Sequence, residues 1–249
     1  MRILAINGFA LGTLILAIAG CGSDSNSDVG QVSLQLATRG PASTASGGPG
    51  QLVVTLGSDE IQVDEVALVL RKVRLDGEPT ASCPEDAEGD SQCAELRLGP
   101  TLFDLPLGEG AEPIFSATVP VGTYSGVKFQ IHRPTNANED ADFVTDHPEL
   151  EDISIRVLGS YNGTPFTFAS DLTEVEDVVF AEPVEVAVDG EVQVTLHVDV
   201  TGWFASEDGA GLVNPSEAND GGPFESLVER QIRESFRAFH DGDLDGAAD

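Results

Sequence analysis

Apolar and polar residues alternate with a period of two through most of the chain between residue 32 and Trp203. The clearest example is EVQVTLHVDV, residues 191–200, where valine or leucine fills every even position. Gln193, Thr195 and His197 are among the polar residues at odd positions. Because successive side chains of a strand point to opposite faces, the stretch predicts an antiparallel strand with one buried and one solvated face.

About eleven such segments follow one another, each bounded by glycine, proline, asparagine or aspartate. No helical periodicity separates them, which predicts a mainly β fold, an antiparallel β-sandwich, over residues 32–203. Asn162-Gly163 predicts a two-residue hairpin turn, since both positions of such a turn need positive φ. The stretch VPVGTYSGVKFQI, residues 119–131, brings Tyr124 into a strand after a turn. It resembles strand pairs in transthyretin-like and immunoglobulin-like sandwiches of exported bacterial proteins.

The periodicity changes near the C-terminus. Residues 204–222 are rich in small and polar residues and predict a loop. Residues 223–240, PFESLVERQIRESFRAFH, begin with a proline and then carry apolar side chains at helical spacing, which predicts an amphipathic C-terminal helix packed on the sandwich. The predicted apolar face consists of Phe224, Leu227, Val228, Ile232, Phe236 and Phe239.

The N-terminus carries a different pattern, one basic residue followed by an apolar run that ends at Cys21. A membrane-spanning helix is one interpretation of the run. Ile18-Ala19-Gly20-Cys21, however, resembles the lipobox of bacterial lipoprotein signal peptides. That resemblance implies a signal peptide over residues 1–20, cleavage before Cys21 and acylation of its sulfur and amine. Small polar residues 21–31 then predict a flexible tether, and the absence of aspartate after Cys21 favours the outer membrane.

Two further cysteines, Cys83 and Cys93, bracket the acidic stretch PEDAEGDSQ. An exported protein lies in an oxidising compartment, so the pair predicts a disulfide that stabilises the fold by about 2.5–3 kcal/mol. A two-cysteine metal site is the alternative interpretation, but it lacks nearby histidines or a second cysteine pair.

The chain has 43 acidic and 12 basic residues, giving a formal charge of −31. Such a charge repels nucleic acid and anionic head groups and favours divalent cations. The catalytic motifs Gly-x-Ser-x-Gly and His-Glu-x-x-His, a phosphate loop and a dinucleotide fingerprint are all missing from the sequence. His132 and His197 occupy outward positions of predicted strands. We therefore expect a non-catalytic protein that does not bind nucleic acid.

The last residues, DGDLDGAAD, alternate aspartate with other residues before a glycine. The spacing resembles EF-hand loops and the Asp-rich repeats of dockerin and thrombospondin type, and the preceding predicted helix matches the incoming helix of an EF-hand. Without a glutamate at position 12, we expect weak calcium binding, with a Kd of ~10⁻⁴–10⁻³ M. An acidic tail that binds nothing is the alternative. The resemblance assigns calcium ligands to Asp241, Asp243, Asp245, the Ala247 carbonyl and Asp249, with Gly246 at the turn.

A second acidic segment, residues 139–152, holds seven carboxylates and predicts a solvated loop between strands.

The lipobox, single sandwich, helix and terminal Asp-x-Asp-x-Asp-Gly segment together are similar to uncharacterised bacterial surface lipoproteins. The resemblance implies an envelope-anchored domain with a binding, adhesion or structural role and an unknown protein or glycan ligand. A carbohydrate-binding module and an accessory subunit of an envelope enzyme complex are the alternatives. Trp203, Tyr124 and Tyr161 are the aromatic residues, besides the phenylalanines, with which a sugar could stack.

Overall fold

The protein folds into twelve strands and two α-helices within the residues that the computed structural model describes, which are 28–38, 50–79, 95–97, 99–108 and 110–249. The helices are α1 (Ala141–Asp146) and α2 (Glu225–Arg233). The strands are β1 (Val29–Ala37), β2 (Leu52–Leu56), β3 (Asp59–Pro79), β4 (Glu95–Arg97), β5 (Thr101–Asp104), β6 (Glu112–Pro120), β7 (Gly122–Ile131), β8 (Ile155–Tyr161), β9 (Thr164–Ser170), β10 (Glu174–Val186), β11 (Glu191–Val198) and β12 (Phe236–His240). The predicted signal peptide, Cys21 and the predicted disulfide pair Cys83 and Cys93 lie outside the described residues.

The strands form two sheets, one with the order β12-β11-β1-β6 and one with eight strands around β3. Apolar side chains from the two sheets meet between them. Phe129 of β7 packs edge-on against Phe236 of β12, with ring centroids 5.1 Å apart, and Phe103 of β5 packs against Phe115 of β6 at 6.4 Å. The predicted mainly β sandwich is confirmed.

β3 organises the larger sheet because it is long enough to pair with several strands in succession. It pairs with β8 through Ile61–Leu68 and with β7 through Leu70–Pro79. Leu68 and Leu70 also pair with β5, so β5 lies along the opposite edge of β3. The chain leaves β7 and returns as β8 near Val69, whose backbone bonds to His132 and Ser154. The segment between them contains α1 and lies at this junction.

Two local predictions in the sandwich agree with the structure. Asn162 and Gly163 have φ of 49° and 77° and connect β8 to β9 as a two-residue hairpin turn. Tyr124 is fully buried, and its hydroxyl donates to the Pro120 carbonyl at 2.7 Å. This bond ties the start of β7 to the end of β6, as the tyrosine corner of immunoglobulin-like sandwiches does between other strands.

The pairing of β11 differs from the expectation. It runs parallel to β1, from Gln31↔Glu191 to Ala37↔His197, and antiparallel to β12. The face expected to be solvated is partly buried, because Gln35 and Thr195 are almost inaccessible there. Alternation predicts which side chains share a face, but not whether another segment covers that face.

The C-terminal helix is shorter than the sequence predicts. It ends at Arg233, and residues 236–240 form the edge strand β12. Val228 and Ile232 are buried as predicted, but Phe236 and Phe239 are strand residues and do not belong to the helical face. The open edge of β11 accounts for the change, because it offers backbone hydrogen bonds to any segment that reaches it. Within the described ranges, no helix combines the length and the apolar character needed to span a membrane.

The acidic segment 139–152 is also more ordered than the predicted solvated loop. It contains a 3-10 turn at Asn138–Asp140, then α1, then a second 3-10 turn at Pro148–Leu150. Leu150 is fully buried and packs with Ala67 and Val69 on the outer side of β3. A small second core therefore holds this acidic segment on the sheet.

Candidate metal centre in the C-terminal loop

β12 brings the first aspartate of the C-terminal loop onto the smaller sheet. His240 pairs with Val194, and the next residue, Asp241, donates its backbone N–H to the Gln193 carbonyl at 3.4 Å. Asp241 is completely buried beside Thr195. Its Oδ2 accepts hydrogen bonds from the Thr195 hydroxyl at 3.0 Å and from the Gly246 N–H at 3.1 Å.

The second carboxylate oxygen of Asp241 has no hydrogen-bond partner among the described residues. Oδ1 is buried, and no described residue donates a hydrogen bond to it. Burying a charged oxygen without a partner costs several kcal/mol, so proteins pair such groups with a donor or a cation. A bound cation would supply the missing partner of Asp241.

Two further aspartates come close to Asp241. Asp243 and Asp249 each offer a carboxylate oxygen, and the three ligand atoms lie within 4.8 Å of one another. Asp243 and Asp249 are exposed, which gives an ion access from solvent. Asp249 is held in place because its Oδ2 accepts from the Gly242 N–H at 2.7 Å and lies 2.8 Å from His240 Nδ1. The arrangement is all-oxygen and suits a hard cation.

Asp245 lies outside this group. Its Oδ1 accepts the Ala247 N–H at 2.8 Å, and its own N–H donates to Asp243 Oδ1 at 3.3 Å. These bonds, with positive φ at Leu244 and Gly246, wind the chain into a tight loop. The structure thus brings together Asp241, Asp243 and Asp249 of the predicted ligands, while Asp245 supports the turn.

The loop also departs from an EF-hand in what precedes it. Asp241 follows strand β12, so the incoming helix expected from the sequence is absent at this point of the described chain. Instead, the loop is fixed by the smaller sheet and by the Leu244 carbonyl, which accepts the N–H of Ala111 just before β6 at 3.2 Å. Residue spacing in the sequence gives no signal for the contacts that the loop makes with Thr195 and Ala111, because both residues are far from the loop along the chain.

His132 is a buried residue that the alternation places on the surface. It is 6% exposed, and its Nε2 lies 2.9 Å from Asp140 Oδ1. Burial lowers the pKa of His132 from its usual value of 6.5, while the bond to Asp140 opposes that shift. Asp140 Oδ2 accepts the Thr135 N–H at 3.0 Å, so both oxygens of this carboxylate are used within the protein.

Comparison with known proteins identifies no relative. No protein-family model matches the chain, and neither curated proteins nor solved structures give a significant match.

Proposed function

We propose that the C-terminal loop binds calcium through Asp241, Asp243 and Asp249, and that the protein is an envelope-anchored, non-catalytic lipoprotein in which this ion fixes the end of the chain. The observation that carries the proposal is the buried, unpartnered Oδ1 of Asp241 beside two other carboxylates. The hydrogen bond from the Ala247 N–H to Asp245 holds the loop in the turn that brings the three carboxylates together.

Calcium fits the donor set better than other common cations. Three carboxylates are hard oxygen ligands, which disfavours zinc and copper. Magnesium demands near-regular octahedral geometry and gives up its water reluctantly, whereas calcium accepts irregular oxygen shells. Two of the three side chains are exposed, so bound water completes the shell and the affinity stays weak.

The role of the ion would be structural. The loop continues one edge strand, β12, contacts β11 through Thr195 and contacts the segment before the other edge strand, β6, through Ala111. Ordering the loop therefore joins both edges of the smaller sheet. An ion there would stabilise the sandwich as a binding or adhesion domain at the cell surface. A sugar-stacking role for Trp203 or Tyr124 has no support, because both rings are fully buried.

Calorimetric titration of the full-length protein in detergent with calcium tests the site. We expect one ion with a Kd of ~10⁻⁴–10⁻³ M. Asp241→Asn should abolish the binding heat, because it removes the charge that the ion neutralises. Glu149→Gln/Glu151→Gln, which removes two acidic side chains from the other acidic segment, is the matched control and should bind normally. Unchanged titration of Asp241→Asn would disprove the assignment.

The anchor is tested separately by labelling cells with a palmitate analogue. The lipobox residues Ile18–Cys21 lead us to expect label on the wild-type protein. Cys21→Ser should carry none, because the acceptor sulfur is gone. Label that persists in Cys21→Ser would contradict lipidation at this residue.

A further inference from the structure

An open cavity lies beside the C-terminal loop, between strands of the two sheets. Its volume is about 440 Å³, which is within the range of small-molecule binding sites. Residues 181–185 of β10 line one side, and Phe239 and His240 of β12 line the other. All the residues that line it belong to the described part of the chain.

An irregularity in β10 accounts for the position of this cavity. β10 pairs with β7 up to Val179 and again from Val184, so residues 180–183 bulge out of the ladder. Pro183 has no backbone N–H to donate to a neighbouring strand, which favours a bulge at this point of an edge strand. The cavity lies between the bulge and β12.

The cavity adjoins the proposed calcium site through Asp249. This residue is one of the three aspartates whose carboxylate oxygens lie within 4.8 Å of one another, and it also lines the cavity. Each of the three aspartates offers one ligand atom, whereas calcium takes about 6–8 oxygen ligands. Ligand positions therefore remain for oxygens from outside this cluster, and a molecule in the cavity lies next to them.

The charges around the cavity favour a neutral ligand with hydroxyl groups. Glu182 and Glu185 line it, are exposed, and have side chains without an ion pair or hydrogen bond to a described residue. With the formal charge of −31 they repel an anion. An ammonium group is attracted but has no lone pair with which to bind calcium. A hydroxyl oxygen can bind the ion while its O–H donates to a carboxylate.

The cavity also has an apolar part. Val184 is 5% exposed, Phe239 is half-buried, and both line the cavity. A ligand that fills it therefore needs C–H surface as well as hydroxyl groups. A sugar ring combines the two, because its C–H groups can pack on an aromatic ring while its hydroxyl groups point to polar partners.

We propose that this cavity binds a neutral saccharide whose hydroxyl groups complete the oxygen shell of the calcium ion. The inference rests on the calcium site of the proposed function and gives the ion a second role besides holding the loop. The sugar ring packs on Phe239, and its other hydroxyl groups donate to Glu182 and Glu185. Saccharide binding thus requires calcium.

An array of neutral, sialylated and sulfated glycans tests the ligand class. Full-length protein, in a detergent without sugar groups, is applied in millimolar calcium, in millimolar magnesium and in a chelator. We expect binding to neutral glycans in calcium and its loss in magnesium or chelator, because magnesium gives up its water reluctantly. Asp243→Asn should lose both calcium binding and glycan binding.

Two variants of β10 separate the cavity from the ion. Ala181→Trp fills the cavity and should abolish glycan binding, while the calcium titration stays as in the wild type. Val179→Trp is the matched control, because Val179 is 72% exposed and is not among the residues that line the cavity. It should keep both activities. If Ala181→Trp fails to fold, Glu182→Ala/Glu185→Ala replaces it and should weaken glycan binding.

The outcomes distinguish this inference from the proposed function. A calcium titration without binding heat contradicts the calcium site and the saccharide with it. Calcium binding with no neutral glycan bound overturns the saccharide alone. Glycan binding that persists in chelator or in Ala181→Trp also overturns it, because the sugar would then bind without the ion or outside the cavity. A preference for sialylated or sulfated glycans overturns the neutral ligand class.

Discussion

The two acidic segments of the molecule, residues 139–152 and 241–249, look alike in composition and differ in how their carboxylates are used. In the first, Asp140 bonds to His132 and Thr135, and Asp152 pairs with Arg133 at 2.7 Å. In the second, the fully buried carboxylate of Asp241 has one oxygen that no described residue hydrogen-bonds.

The comparison shows that the density of acidic residues does not identify a cation site. Residues 139–152 have an apolar anchor, Leu150, and their buried acid already has protein donors. Residues 241–249 have an exposed apolar side chain, Leu244, and converging carboxylates that repel one another. The first segment is held by packing, and the second gathers three aspartates that could hold a metal ion.

The largest expected difference between the segments is in their apolar anchors. Leu150→Ala should lower the free energy of unfolding by about 2–5 kcal/mol, because it leaves a cavity in the second core. Leu244→Ala should change it by less than about 0.5 kcal/mol, because Leu244 is 37% exposed. Urea denaturation of both variants without calcium measures the contrast. Similar losses in the two would show that the C-terminal loop is also held by packing.

The next largest expected effect is the stabilisation of the C-terminal loop by calcium. If the loop binds calcium as proposed, calcium at ten times Kd should stabilise the folded protein by about 1.4 kcal/mol, or roughly 3–5 °C in melting temperature. Asp243→Asn should lose most of this gain. Asp245→Asn should keep it, because that side chain supports the turn and an amide oxygen can still accept the Ala247 N–H. Melting curves at fixed ionic strength, with magnesium in parallel, provide the measurement.

Two results would contradict this distinction. Equal loss in Asp243→Asn and Asp245→Asn would mean that the bound loop uses the ligand set that the sequence spacing predicts. Equal stabilisation of the wild-type protein by magnesium would mean that general screening of the −31 charge explains the effect.

The smallest effect concerns pH and the segment 139–152. Burial lowers the pKa of His132 in the folded protein, while Asp140 raises it and Arg71 lowers it further. The unfolded chain therefore binds a proton more readily, so stability is full above the unfolded value of 6.5 and falls as pH drops through the folded pKa. His197, whose pKa burial also lowers, acts in the same direction. Melting temperatures from about pH 7.5 to 5 should decline less in His132→Gln than in the wild type. An unchanged decline would assign the pH dependence to other groups.

Sequence reasoning predicted the sandwich because its signals are local. Alternation marks strands, and Asn162-Gly163 forms its hairpin turn with residues that tolerate positive φ. The same reasoning extended the C-terminal helix through Phe236 and Phe239, because their spacing fits both a helix face and a strand preceded by a turn. It also placed His132 on the surface. Alternation carries no information about Asp140, which contacts His132 from the segment that covers the end of β7.

The sequence by itself determined the strand segments before Trp203, the position of the hairpin turn at Asn162-Gly163 and which aspartates lie close together along the chain, because neighbouring residues settle these features. Only the tertiary structure decided that β11 runs parallel to β1, that residues 236–240 join the sheet and that Asp241 is buried beside Thr195. Each of these depends on backbone edges and faces supplied by residues far away in the chain. An open strand edge or an uncovered face recruits whichever segment reaches it, and local patterns do not specify that segment.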